Sequence, residues 1–346
     1  MKKILSIDAG RKYFSKEQLE TIIEKASQAG FTGIEVILAN NGLRFILDDM
    51  AINGQVRYYE SEKVKEALIK GTKKYYDDPN GCYLSQKDMD YLLQSAKERS
   101  IELIPVINSP GHMDAIVEGM KHLGIQAPSF RTSRSTIDLA NREAVDFTRQ
   151  LVKKYIDYFS GKVGYFNLGC DEYANDVKTE GGWLGLLDKG DYAKFIDYTN
   201  ELAAMVKNNK MEPIVFNDGI YYHADERYGQ FDPAIIVAYW TAGWKGYEVC
   251  PPEFLVAKGH RLLNTNDSWY WVIGRNTEKD GYYHFEQVLE GIKRTEISQV
   301  PAAVEKLPII GSMFGIWADD PERPFEMQAL DQLITRYSSY WNQQFQ

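Results

Sequence analysis

Eight short apolar runs, each closing on polar residues and separated by stretches of helical periodicity, constrain this chain more than any other feature. They are KKILSIDAG (2–10), GIEVILA (33–39), IELIPVIN (101–108), VGYFNLGCDE (163–172), EPIVFND (212–218), IIVAYWT (235–241), HRLLNTND (260–267) and IIGSMFGIWAD (309–319). After the first, Ser15 with Gln18 three residues on is a capping-box start; Leu19, Ile22, Ile23 and Ala26 keep the helical period, and Gly30 ends it. Ser85 and Asp88 open another helix that closes near Ser100, and further helices are expected near 113–123, 141–159, 190–209, 251–258 and 323–341. Strands apolar on both faces belong to a parallel sheet covered by helices, and eight such units close into a barrel. The expectation is an α/β fold: a single (β/α)8 TIM barrel over 1–346 with a long insertion after the second strand. That insertion, 40–84, is rich in Asn, Asp, Tyr and Gly and carries one expected helix near 61–70; so long a loop is more often functional than idle. No linker or low-complexity tract marks a second domain.

Other classes fall away on composition. The 40 basic and 49 acidic residues leave a net charge of −9, and no basic stripe offers itself to a phosphate backbone, so nucleic acid is not an expected partner. No apolar run approaches the roughly 20 residues that span a bilayer, and the N-terminal run is too short for a secretory signal. As given, the chain reads as cytosolic, or as an extracellular piece cut from a longer protein. Cys82, Cys170 and Cys250 stand alone, and the five histidines form no zinc motif. Tyr76-Asp77-Asp78-Pro79-Asn80-Gly81 approaches a calcium loop but lacks its first ligand, with Lys87 where the last carboxylate belongs, and reads as a turn. No phosphate-binding or dinucleotide-binding glycine loop is present, so no cofactor is implied.

A barrel puts its active site at the C-terminal ends of its strands. Those ends read Asp8 and Arg11, Asn40-Asn41, Asn108 through His112, Asp171-Glu172, Asn217-Asp218, Trp240, Asn266-Asp267 with Tyr270, and Trp317 with Asp319. A second acidic pair, Asp225-Glu226, lies beyond the fifth strand and is expected to be solvated. Aromatic walls with carboxylates, amides and an arginine between them suit a sugar, whose apolar face packs on an indole while its hydroxyls take hydrogen bonds.

Asp8-Ala9-Gly10-Arg11-Lys12-Tyr13-Phe14, Asn108-Ser109-Pro110-Gly111-His112, Leu168-Gly169-Cys170-Asp171-Glu172 and Gly315-Ile316-Trp317-Ala318-Asp319 come in one order along the chain. In that order they resemble the successive motifs of glycoside hydrolase family 20, most nearly the catalytic modules of streptococcal surface exo-β-N-acetylglucosaminidases. The resemblance implies an exo-acting β-N-acetylhexosaminidase that removes terminal β-linked GlcNAc, with GalNAc left open, from oligosaccharides or glycoconjugates, with retention. In this family the substrate's own 2-acetamido oxygen attacks the anomeric carbon and forms an oxazolinium ion, an exception to the two-carboxylate scheme. It implies Glu172 as general acid and then base, with a pKa raised to roughly 6–7, and Asp171 as the ionised partner of the acetamido group. Tyr270 matches the donor to the acetamido oxygen, Trp240 and Trp317 the pocket walls, Arg11 and Asp319 the contacts to outer hydroxyls, and His112 a histidine beside the pair.

The chain departs from the family pattern in places. Asn167-Leu168-Gly169-Cys170 replaces the usual His-x-Gly-Gly, with Cys170 expected as a small packing residue. Phe216-Asn217-Asp218 stands where a tryptophan is common, which makes Asn217 and Asp218 candidate sugar contacts. Trp244, Trp269 and Trp271 are either a platform for the leaving group or packing. The stretch given is expected to hold the barrel without the small domain that often precedes it in the family, which makes a second copy of the chain a candidate cover. A non-catalytic carbohydrate-binding barrel is the alternative reading; a metal-dependent sugar isomerase is disfavoured by the missing ligands.

Overall fold

The computed structural model describes residues 1–177, 181–242, 248–294 and 307–344. Eight parallel strands close a barrel: β1 (Lys2–Asp8), β2 (Gly33–Asn40), β3 (Glu102–Ser109), β4 (Tyr165–Gly169), β5 (Glu212–Phe216), β6 (Ile236–Tyr239), β7 (Leu262–Asn264) and β8 (Ile309–Trp317). Each pairs in parallel with the next, and β8 pairs back onto β1 from Lys2 opposite Gly311 to Ile7 opposite Ile316. The (β/α)8 expectation is met.

Strand alternation sorts the side chains. On β1, Leu5 and Ile7 join the shell between strands and helices, whereas Ile4 joins a smaller cluster inside the barrel with Ile104, Ile214, Ile236, Leu263 and Met313. Successive side chains face opposite ways along a strand. Asp8 therefore shares the inward register of Ile4, Trp240 that of Ile236, and Trp317 that of Met313. The strands' two apolar faces become a filled interior, an outer helical shell, and a polar upper rim.

Helix starts follow the sequence. Ser15 accepts the N–H of Gln18, whose side chain returns to Ser15, and the helix Lys16–Gln28 (α1) runs to the left-handed Gly30 (φ 74°). Ser85 and Asp88 form the same box ahead of Gln86–Glu98. The helix expected near 61–70 is longer, Ser61–Tyr75 (α2). It packs on Asp114–His122 (α3) through Gly71, where a Cβ would meet the carbonyl of Ala115. The insertion also holds two-residue strands, Ile52–Asn53 against Tyr58–Tyr59 and Phe45–Ile46 against Leu84–Ser85. Most strands stop short of the polar ends of their runs, and two fall furthest short. The fourth stops at Gly169, and the seventh is confined to Leu262–Asn264, with a separate piece, Tyr270–Val272, pairing in parallel with β8. Helices Gly182–Asp188 and Phe285–Gly291 were not expected. No helix among the described residues is long and apolar enough to cross a membrane.

Candidate active site

Where β4 ends the chain turns sharply, with φ of 72° at Gly169, 63° at Cys170 and 48° at Glu172. Left-handed backbone is unfavourable for residues with a Cβ and persists only where surroundings enforce it. Here Asn167 Oδ1 accepts the Gly169 N–H at 2.8 Å, Asp218 Oδ2 accepts the Glu172 N–H at 2.8 Å, and Thr136 Oγ1 accepts the Ala174 N–H at 3.0 Å. Cys170 is fully buried against the shell, the packing role expected of it. The turn, rather than strand alternation, separates the Asp171 and Glu172 side chains.

Both carboxylates meet one imidazole. His112 Nε2 lies 3.2 Å from Glu172 Oε2 and 3.5 Å from Asp171 Oδ2, while its Nδ1 lies 3.2 Å from Asn41 Oδ1. Asn108 Nδ2 donates to Asp171 Oδ1 at 2.7 Å. Burial opposes a charge on His112, but the Asp171 charge and hydrogen bonds to both carboxylates outweigh it and raise the pKa to about 10. The ring is then an imidazolium at neutral pH with both N–H groups donating. Burial acts in the opposite sense on Asp171, yet His112 and Asn108 hold its pKa below the usual value. Glu172 departs from expectation. Burial pushes its pKa up, but the hydrogen bond and charge of His112 prevail and lower it. The family-based expectation of a raised value overlooked an imidazolium within hydrogen-bonding reach.

Arg11 is fixed from several sides. One guanidinium nitrogen lies 3.1 Å from both Asp8 Oδ2 and Asp319 Oδ1, and Nε donates to Asn41 Oδ1 at 3.0 Å. Asp8 is fully buried and also accepts the Arg11 backbone N–H at 3.0 Å. Asp319 keeps 29 % of its side chain exposed, so the Arg11–Asp319 pair presents donors and acceptors together at the rim.

The aromatic wall stands opposite. Trp240 and Tyr270 stack with centroids 6.4 Å apart, Trp317 meets Tyr270 edge-on at 5.3 Å, and Phe216 lies 6.3 Å from Trp317. The Tyr270 hydroxyl is 3.1 Å from Thr265 Oγ1. Asn217 and Asp218, expected to touch sugar, stand behind this wall and do not line the cavity. Asn217 Oδ1 accepts the Trp240 N–H at 2.8 Å and its Nδ2 donates to the Thr241 carbonyl. Asp218 accepts three donors: Glu172 N, Trp183 Nε1 at 2.9 Å and Trp240 Nε1 at 3.1 Å. Both side chains are occupied in holding neighbours, which is why neither reaches the cavity.

The enclosed space is about 250 Å³. That is near the lower end of small-molecule pockets, roughly 300–1,000 Å³, and suits one sugar ring rather than a stretch of chain. Arg11, His112, Asp171, Glu172, Trp240, Tyr270, Trp317 and Asp319 all line it, as do three residues not singled out as contacts: Phe216, Tyr282 and Tyr283. Phe216 was legible in principle, because it shares the inward register of Ile214. Tyr283 is fixed by its hydroxyl on Asp267 Oδ2 at 3.0 Å. Tyr282 is 54 % exposed at the mouth, with the Arg275 guanidinium 4.9 Å over its ring. Trp269 and Trp271 are buried in the shell, and Trp244 lies outside the described residues. Asp225 and Glu226 pair with Arg227 and Lys258, away from the mouth. Among the described residues no group of three or more His, Cys, Asp or Glu side chains is arranged to hold a metal ion.

The family model for the catalytic domain of glycosyl hydrolase family 20 matches residues 4–330. A solved structure from work on the tandem catalytic modules of the pneumococcal exo-β-D-N-acetylglucosaminidase StrH superposes with a TM-score of 0.95 at 43% identity, covering 98% of this chain and 84% of that one. A lacto-N-biosidase of Bifidobacterium bifidum is 28% identical over 198 residues, 55% of this chain and 17% of that protein. The β-hexosaminidase subunit A1 of Dictyostelium discoideum is 22% identical over 242 residues, 68% of this chain and 42% of that protein. The chain thus spans less than half the length of these curated relatives.

Proposed function

This chain belongs to glycosyl hydrolase family 20, and from that footing we propose that it is an exo-acting β-N-acetylhexosaminidase working with retention through substrate assistance. One observation carries the reading: the two carboxylates at the β4 turn share His112 Nε2 and so stand on the same side of the cavity. Displacement by an enzyme carboxylate needs acid and nucleophile flanking the glycosidic bond. Asp319, a third carboxylate of the lining, is engaged by Arg11. A nucleophile carried by the substrate, its 2-acetamido oxygen, removes that requirement.

In this reading Glu172 protonates the leaving oxygen and then accepts a proton from the attacking water. Asp171, held ionised by His112 and Asn108, accepts the acetamido N–H and offsets the charge that develops on the oxazolinium ring. Tyr270 turns its hydroxyl proton to the acetamido oxygen while accepting from Thr265. Trp240, Phe216 and Trp317 enclose the methyl and the sugar face, and Arg11 with Asp319 takes the outer hydroxyls. The Glu172 side chain is 29 % exposed. A sugar ring that displaces water from it enlarges the burial contribution, which already favours the protonated acid. The small pocket supports removal of single terminal residues, and GlcNAc-terminated oligosaccharides or glycoconjugates are the substrates we propose.

The test compares hydrolysis of the nitrophenyl β-glycosides of GlcNAc and glucose. The GlcNAc compound should be cleaved and the glucose compound left essentially intact. Glu172→Gln should lower turnover by roughly 10²–10⁴-fold, the usual contribution of a general acid. Equal cleavage of both glycosides would mean a nucleophile on the enzyme and would overturn substrate assistance.

A further inference from the structure

A carboxyl group to which the proposed chemistry gives no part lies inside the barrel. Glu35 on β2 is fully buried, directed into an interior otherwise built from Ile4, Ile104, Ile214 and Met313. Ser6 Oγ on β1 lies 2.8 Å from its Oε1, and Asn167 Nδ2 on β4 donates to its Oε2 at 2.8 Å. An aliphatic side chain of similar volume would fill this place without the desolvation that a carboxyl suffers. The hydrogen bonds supply a reason for the acid.

Asn167 spends its other end on the turn that carries the catalytic pair, its Oδ1 accepting the Gly169 N–H at 2.8 Å. The two ends of an amide differ only in donating or accepting. Glu35 presents an acceptor at Oε2, so the NH2 of Asn167 faces the barrel interior and its oxygen faces Gly169. Burial pushes the Glu35 pKa up to about 7. A proton on Oε1, toward Ser6, leaves Oε2 an acceptor, so the amide keeps its orientation in both charge states. With its N–H held, Gly169 takes φ 72° and starts the left-handed turn through Cys170 to Glu172. A Cβ at Gly169 would collide with the side chain of Asn108, the residue that donates to Asp171 Oδ1. The bare Cα of Gly169 thus gives Asn108 its place against Asp171.

We propose that Glu35 is a positioning residue for the reaction, setting the turn that aims Asp171 and Glu172 by fixing the amide of Asn167. This rests on the reading of Asp171 and Glu172 as the catalytic pair.

Three variants, Glu35→Leu, Glu35→Gln and Asn167→Ala, test it by steady-state kinetics on nitrophenyl β-GlcNAc, with thermal unfolding in parallel. In Glu35→Gln the amide oxygen faces Asn167 and its nitrogen donates to Ser6, so kcat should stay within about threefold of wild type. Glu35→Leu leaves the Ser6 hydroxyl and the Asn167 NH2 without their acceptor, so it should still unfold cooperatively but at a lower temperature than wild type. Its kcat should fall about 10- to 100-fold with KM nearly unchanged, as for a misplaced reacting group. Asn167→Ala, which leaves Glu35 in place, should show the same kcat loss and decides the matter if Glu35→Leu does not fold. A folded Glu35→Leu or Asn167→Ala with wild-type kcat overturns the proposal, as does a Glu35→Gln that falls as far as Glu35→Leu. Wild-type protein without turnover removes the catalytic reading and the proposal with it. Wild-type turnover beside an undiminished Glu35→Leu removes the proposal alone.

Discussion

At the scale of single residues, charge on His112 decides the protonation of its neighbours. Burial and the Asp171 charge push the Glu172 pKa up; the hydrogen bond and charge of His112, with Arg11, hold it down. A general acid is lost as pH rises through its own pKa, so a lowered Glu172 places the alkaline limb of kcat/KM at low pH. In His112→Phe the largest lowering causes vanish while burial and Asp171 remain. The alkaline limb should therefore move to higher pH, although maximal activity falls because Asp171 loses a partner. Profiles of kcat/KM from about pH 4 to pH 8 would show the shift, and an unmoved or lowered limb would contradict the assignment. Asp218 governs the opposite wall in a comparable way. In Asp218→Asn the amide oxygen can serve Glu172 and Trp183, but the amide nitrogen then confronts the Trp240 N–H. Losing one hydrogen bond with its buried donor, worth about 1–3 kcal/mol, loosens a wall that grips ground state and transition state alike. The expected result is a KM raised at least about fivefold with a smaller change in kcat.

Single elements show which parts of the structure their own sequence specifies. The barrel strands were legible because residues such as Ile34, Val36, Ile37 and Leu38 keep β2 mostly apolar on both faces, with Glu35 the exception, and the capping boxes at Ser15 and Ser85 because both of their partners lie within three residues. The two-residue strands of the insertion were not, since so short a piece carries no period to read. The turn from Gly169 to Glu172 was missed for a different reason: its left-handed geometry is imposed by Asn167, Asp218 and Thr136, and two of these lie far off in sequence. Tyr282 and Tyr283 line the cavity from a loop, where no alternation marks the inward side. Of the eight expected catalytic and contact residues that line the cavity, Arg11, His112, Asp171, Glu172, Trp317 and Asp319 lie in the four motifs, whereas Trp240, Tyr270, Asn217 and Asp218 were placed by their position near strand ends, which does not tell a contact from its support. Gly71 yields the prediction at this scale. A Cβ there meets backbone of α3, which cannot swing aside as a flexible side chain can. Gly71→Ala should destabilise the protein by about 1–3 kcal/mol through overpacking, despite the better helix propensity of alanine. Urea unfolding would measure it, and a neutral or stabilised variant would show that α2 can slide on α3 at no cost.

The whole molecule depends on closing the ring between its first and last strands, and the helix Met327–Gln344 (α4) lies over that seam. Lys3 on β1 donates to Ser338, while the Tyr337 hydroxyl is hydrogen-bonded to Ser312 on β8. The Tyr337 ring packs on Phe31, which follows α1, and on Phe314 of β8. Leu330, Leu333, Ile334 and Tyr337 are all at most 2 % exposed. The contacts join opposite ends of the chain, so closing them carries the loop-closure cost of nearly the whole sequence. They also bear on the site, because β1 carries Asp8 toward Arg11 and β8 carries Trp317 toward the pocket. Burying one large apolar side chain contributes roughly 1.5–3 kcal/mol, so these four together contribute about 6–12 kcal/mol. That is comparable to the roughly 5–15 kcal/mol by which a typical domain is stable at all. A chain ended at residue 326 should therefore lose cooperative unfolding and glycosidase activity together, although every residue lining the cavity is retained. Circular dichroism melting beside nitrophenyl β-GlcNAc hydrolysis measures both. A truncated chain that melted cooperatively and kept its activity would show that the parallel pairing of β1 with β8 closes the ring without the helix.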